Sequence, residues 1–301
     1  MSTALSAVAL MTGSASVIMK LIEVEQLTKY NAIHLTHQFL GLNPLEEFLM
    51  PENTVRLMCL PVYSVHDWPV ADDVNLLGSG TLIRFRGRHL LLTAAHVLES
   101  TDVILLGGVT PAVPLRRPNC TRTDNHCGLD IDFIDISEQI AAFSNSPVLV
   151  IDWERMLCDQ GGDCSTPLCK IIGFPAHRNE ARQDVRSLSM NVVDVQVRED
   201  ARIIRHTQFR EVAANRNLYI GLRYEPFLLN RNSNSRPRIR AFHGFSGGAI
   251  WQMGVSTVWH FAGLVTDCHS SRPTRRGERL LIGLRTMAID TFLRERIEDP
   301  A

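Results

Sequence analysis

The sequence predicts an all-β protein, and three observations carry that prediction. The 301 residues hold 19 glycines and 14 prolines, set between many short apolar runs, and runs of that length bounded by turn residues are strands rather than helices. Hydrophobic residues reach 45%, enough to fill a sizeable core. The runs also fall into two successive series, divided by a cysteine-, glycine- and aspartate-containing stretch from Cys158 to Cys169. The expected organisation is an N-terminal extension at 1–50, a first β-barrel at 51–157, and a second β-barrel with a C-terminal helix at 158–301.

Along the extension, Leu21, Ile22, Val24 and Leu27, then Ile33, Leu35, Phe39 and Leu40, follow helical spacing until Gly41 and Pro44 interrupt it. The first series of strands is predicted at Val55–Tyr63, Gly80–Phe85, His89–Thr93, Val103–Leu106, Ile131–Ile136 and Val148–Ile151. The second is predicted at Ile171–Phe174, Ser187–Val197, Leu218–Arg223, Ala249–Gln252, Trp259–Thr266 and Arg279–Gly283. Met287, Ile289, Phe292 and Ile297 give Thr286–Glu298 the period of an amphipathic helix. The stretches Asn230–Arg240 and Ser270–Arg279, rich in arginine and turn residues, are expected to be exposed loops.

Chemistry concentrates at Gly244-Phe245-Ser246-Gly247-Gly248. A serine among glycines can sit on a sharp turn that brings a hydroxyl and backbone amides onto one carbonyl group. A serine hydroxyl is a weak nucleophile at neutral pH, so it needs a histidine to take its proton and a carboxylate to orient that histidine. The chain offers Thr93-Ala94-Ala95-His96 at the end of an apolar strand and Asp130 at the start of another. The expected triad is His96, Asp130 and Ser246, with the amides of Gly244 and Ser246 as the oxyanion hole, each donor stabilising the transition state by about 3 kcal/mol. Asp132 and Asp135 are alternative carboxylates on the same strand. The histidines at 89, 126, 177, 206, 243, 260 and 269 are expected in loops or pockets.

With these segments in place the chain resembles the trypsin/chymotrypsin-like serine peptidases of bacterial type, from Val55 to the C-terminal helix. The resemblance rests on Gly78-Ser79-Gly80-Thr81, Thr93-Ala94-Ala95-His96, Asp130-Ile131-Asp132-Phe133-Ile134, Ile172-Gly173-Phe174-Pro175, Gly244–Gly248 and Gly263-Leu264-Val265-Thr266. It implies two perpendicular six-stranded antiparallel barrels with the active site between them, and no cofactor. The chain departs from the family at Phe245, where zymogen-activated members carry an aspartate that pairs with a newly cut N-terminus, so that switch is not expected. It departs again at Asp132, where a small residue is usual. By the same resemblance Arg240, six residues before Ser246, lies at the base of the pocket for the side chain preceding the scissile bond, with Thr266 also on the substrate side. An arginine there disfavours basic side chains by like-charge repulsion.

The reading is therefore a serine endopeptidase acting on proteins or peptides. The alternatives are a selective processing peptidase that a protein partner activates, and a catalytically inactive peptidase-like binding module. A net charge of −1 and a pI near 6.8 give no pull towards nucleic acid or membrane, so neither is expected as a partner. The 7 cysteines are odd in number and irregularly spaced, which predicts reduced thiols; Cys158, Cys164 and Cys169 lack the Cys-x-x-Cys spacing of a zinc knuckle, so no metal is expected. Ser2–Met19 is uncharged but interrupted by polar residues and has no basic residue before it, so the expected address is the cytoplasm.

Overall fold

The computed structural model describes residues 58–65, 74–99, 103–107, 113–116, 129–143, 148–159, 168–176, 192–205, 212, 216–224, 242–254, 259–269 and 279–298. The extension predicted at 1–50, residues 230–240 with Arg240, and residues 270–278 lie outside them; Arg279 begins a strand.

The first β unit contains β1 (Cys59–Val65), β2 (Val74–Phe85), β3 (Arg88–Thr93), β4 (Val103–Leu106), β5 (Val113–Arg116), β6 (Asp132–Asp135) and β7 (Ile151–Asp152). Its strands run in the order β5-β4-β1-β2-β3-β6, and β7 adds to β2 in parallel. The second contains β8 (Leu168–Gly173), β9 (Val193–Glu199), β10 (Tyr219–Tyr224), β11 (Ala249–Met253), β12 (Trp259–His269) and β13 (Arg279–Arg285). These close into a barrel, β10-β13-β12-β11-β8-β9, with every neighbour antiparallel. The all-β class is thus as predicted. Among the described residues the second unit is closed, while the first is an open, strongly curled sheet.

Unbroken apolar runs mark strands buried on both faces. In β3, Leu91 enters the interior of the first sheet with Leu60, Leu82 and Ile134, while Leu90 and Leu92 point into the layer shared with the second unit. In β8 and β11, Ile171 and Ile250 fill the barrel interior, while Ile172 and Trp251 face the shared layer. The interface between the units is therefore a core in its own right.

Helix α1 (Ala95–Glu99) follows β3, α2 (Trp153–Asp159) follows β7, α3 (Ala201–Arg205) follows β9, and α4 (Thr286–Glu298) closes the described chain. The α4 helix, predicted from its period, buries Phe292 edge-on against Phe133 of β6 at 6.1 Å. Its Asp290 accepts the indole N–H of Trp153 at 3.0 Å. Burying a side chain of that size contributes about 1.5–3 kcal/mol, so α4 ties the end of the second unit to the first.

Several elements differ from expectation for local reasons. Strand β2 begins at Val74 rather than Gly80, so Gly78 and Ser79 lie inside a strand that pairs with β1 instead of leading into it. Strand β5, unpredicted, contains Pro114; it pairs only with β4 and so sits at a sheet edge, where a residue without an N–H is tolerated. Strand β12 runs on to His269, three residues past its predicted end.

Candidate active site

The β3–β6 pairing builds one half of the site. Its last rung is Thr93↔Asp132, and just beyond it α1 carries His96 on one strand while Asp130 precedes the other. Ala94, Val97 and Leu98 are buried beneath the helix, which leaves His96 on its outer side. Asp130 Oδ2 lies 2.7 Å from His96 Nδ1, and Asp130 Oδ1 accepts the His96 backbone N–H at 3.1 Å. One carboxylate therefore holds both the ring and the backbone of the histidine. The side chains are 48% and 36% exposed, so the pair is open to solvent rather than sealed in a core. The bond to Asp130 holds the imidazole pKa above its ordinary value; burial opposes this, and the charges of Asp130, Asp267 and Glu99 add to it.

The other carboxylates on this strand are engaged elsewhere. Asp132 is buried and its Oδ1 accepts the Phe133 N–H at 2.8 Å. Asp135 accepts the Ser137 N–H at 3.0 Å and faces Arg88 at 3.7 Å.

The second half is a turn made of backbone. Gly244 and Gly247 have φ of +92° and +83°, which L side chains rarely adopt, and Ser246 lies between them, half-buried. The turn is closed by Phe245 N–H to Phe242 O at 3.0 Å and Gly248 N–H to Phe245 O at 2.7 Å. It is clamped to β12 by Gly247 N–H to Val265 O at 2.7 Å and Val265 N–H to Gly248 O at 2.8 Å. Its carbonyls point into protein: His243 O accepts the Ala176 N–H at 2.8 Å, Ser246 O the Ser79 N–H at 2.8 Å, and Gly247 O the Thr81 hydroxyl at 3.2 Å. Among the described residues no acceptor takes the amides of Gly244 or Ser246.

The two halves meet at Gly78. A Cβ there would lie 2.7 Å from a methyl of Val97 and 2.8 Å from the Ser246 carbonyl oxygen, so the serine turn packs within one residue's width of the helix that carries His96. Phe245 is fully buried, its ring 5.3 Å from Phe242, so this position is part of an aromatic core.

Thr266, expected on the substrate side, is buried, and its hydroxyl donates to Ile282 O at 3.3 Å. The neighbouring Asp267 is exposed. A register shift between Val265 and Asp267 places it two residues past the clamp on the serine turn. Sequence reasoning passed over Asp267 and the buried Ser79, although Ser79 stood inside a motif it had singled out. Cys59 and Cys169 are buried thiols outside any disulfide, and burial pushes the Cys59 thiol up to about 12, which disfavours a nucleophilic thiolate. Among the described residues no three His, Cys, Asp or Glu side chains gather as a metal site, and no helix is long and apolar enough to cross a membrane.

No protein-family model matches the chain, and no curated protein matches its sequence. Solved structures do resemble it. A serine endoprotease from Yersinia pestis is similar with a TM-score of 0.46 and 16% identity, over 84% of this chain and 69% of that one. The structure of GrC is similar with a TM-score of 0.48 and 12% identity, over 83% of this chain and 98% of that one.

Proposed function

We propose that this protein is a serine endopeptidase that cleaves protein or peptide substrates through an acyl-enzyme on Ser246. The observation that carries the reading is the two-point hold of Asp130 on His96. A carboxylate on Nδ1 leaves Nε2 unprotonated and directed outward, which is what a general base for a serine requires.

In the proposed reaction Ser246 Oγ attacks the substrate carbonyl carbon while His96 Nε2 takes its proton. Asp130 stabilises the resulting imidazolium without becoming protonated itself. The negative oxygen of the tetrahedral intermediate is held by the Gly244 and Ser246 amides, whose carbonyl neighbours are already turned into the protein. Collapse breaks the C–N bond, and His96 returns the proton to the leaving amine. Water then repeats the sequence on the ester, with His96 as base, and releases the acid. The buried aromatic Phe245 supports a site assembled without a freshly cut N-terminus.

A fluorophosphonate or sulfonyl fluoride is expected to label Ser246, as located by peptide mass spectrometry, and labelling is expected to need His96. In a mixed peptide library, Ser246→Ala and His96→Ala should each lower kcat by on the order of 10⁶, with the double variant little worse, because the groups act as a unit. Peptidase activity that survives Ser246→Ala would overturn the assignment.

A further inference from the structure

The geometry assigns to Ser79, a residue of the first sheet, the role of positioning residue for the oxyanion hole of the second unit. This inference rests on the peptidase reading above and adds to it a side chain outside the triad. Ser79 is fully buried in β2, with its hydroxyl, amide and carbonyl all hydrogen-bonded. Its hydroxyl donates to Gly244 O at 2.6 Å and accepts the Phe174 N–H at 2.9 Å. Its amide donates to Ser246 O at 2.8 Å, and its carbonyl accepts the Thr93 hydroxyl at 2.7 Å.

These bonds fix the two peptide planes on either side of the Gly244 α-carbon. The His243–Gly244 plane is set by the His243 carbonyl on Ala176 N–H. The Gly244–Phe245 plane is set by the Gly244 carbonyl on the Ser79 hydroxyl. With both carbonyls turned inward and φ at +92°, the Gly244 amide has one direction left, outward beside Ser246. Glycine tolerates other φ/ψ values at little cost, so the conformation is held by these partners and not by the residue itself. Removing the hydroxyl leaves a buried carbonyl and a buried N–H without a partner, and rotation of the Gly244–Phe245 peptide towards a new donor breaks the Phe245 N–H to Phe242 O bond and loosens the turn that holds the Gly244 and Ser246 amides. Because Ser79 belongs to the first sheet, the hole is complete only while the two units are docked. Ser79 is bonded through Thr93 to the strand that leads into His96, so one residue joins both halves of the site.

The test compares Ser79→Ala with wild type, using turnover of a cleavable peptide and affinity for a peptidyl trifluoromethyl ketone, which places a negative oxygen in the hole. Cooperative melting and the His96 ring-proton signal report the fold and the His96–Asp130 bond independently. Expected is a fall in kcat of about 10²–10³, the size seen when one oxyanion donor is lost, with KM changed by no more than a few-fold. Affinity for the ketone should drop by the same factor as kcat/KM. Ser79→Thr, which keeps the hydroxyl, should restore most of kcat. If Ser79→Ala does not melt cooperatively, Ser79→Cys, with only a weak S–H donor, is measured in its place and should fall between wild type and the loss expected for alanine. A folded Ala or Cys variant with wild-type kcat and ketone affinity would overturn the inference. Failure of wild type itself to be labelled at Ser246 would overturn the peptidase reading instead.

Discussion

The two halves of the site are built from different materials. The histidine half is made by side chains: one carboxylate grips one imidazole, both lie partly in solvent, and the strands beneath only bring them to the same end of a ladder. The serine half is made by backbone: two left-handed glycines shape it, and buried hydroxyls from the first sheet hold its carbonyls. Side-chain geometry can be disabled atom by atom while the fold survives. Backbone geometry is continuous with the core, so its perturbation should register in stability as well as in rate.

Short of removing the nucleophile or the base, the largest expected effect on the side-chain half comes from Asp130→Asn. Asp130 Oδ1 accepts the His96 backbone N–H, a donor that cannot change its role. The amide oxygen of asparagine will take that N–H, which forces the NH₂ group onto Nδ1 and moves the ring proton to Nε2, where it blocks proton uptake from Ser246. The expected loss is about 10⁴ in kcat, the size of such a tautomer reversal, with the melting transition little changed. Asp132→Asn should cost far less in rate, because that carboxylate is buried and accepts the Phe133 N–H, while Asp130 holds the histidine. The opposite ranking in steady-state kinetics would mean that Asp132, not Asp130, serves the histidine.

Gly247→Ala probes the backbone half. A Cβ at this position would overlap the Ser79 carbonyl oxygen and the Thr93 hydroxyl, at a φ of +83°. Backbone strain of this kind costs on the order of 1–3 kcal/mol before any steric overlap is added, so the variant should lose about 3 kcal/mol or more in denaturant unfolding. Wild-type stability in this variant would show that the turn can rearrange freely and would erase the distinction between the halves.

The same distinction explains what was legible in the sequence. His96, Asp130 and Ser246 stand in marked contexts, and the alternating or continuous apolar runs beside them fix which strands lead to them. The glycine motif signalled a special turn but not its supports. Ser79 was legible only as a member of the Gly78-Ser79-Gly80-Thr81 motif, because a serine between glycines does not read as strand unless the pairing partner is known, and here that partner is β1. Short elements such as β5, α2 and α3 owe their form to tertiary contact and left no pattern long enough to detect. Asp267 was missed for another reason: the predicted strand stopped at Thr266, and the register shift that carries β12 onward is a property of pairing with β13.

Asp267 supplies the smallest expected effect, and it links the halves through charge alone. The base form of His96 is the neutral ring, so the acid limb of kcat/KM should follow its pKa, which is raised first by the Asp130 hydrogen bond, against burial, and further by the charges of Asp130, Asp267 and Glu99. Activity should therefore rise with pH through a midpoint above the ordinary histidine value of about 6.5. Asp267→Asn removes a negative charge that favours the imidazolium, so its acid limb should move to lower pH, by less than the shift from neutralising Asp130. Asp267 is exposed, and interactions through solvent are screened over about 8 Å at 0.15 M salt and about 3 Å at 1 M. Raising the salt to 1 M should thus move the wild-type limb towards that of Asp267→Asn and leave the variant nearly in place. A variant limb that coincides with wild type at low salt, or a gap between them that persists at 1 M, would show that Asp267 does not act on His96 through the open cleft.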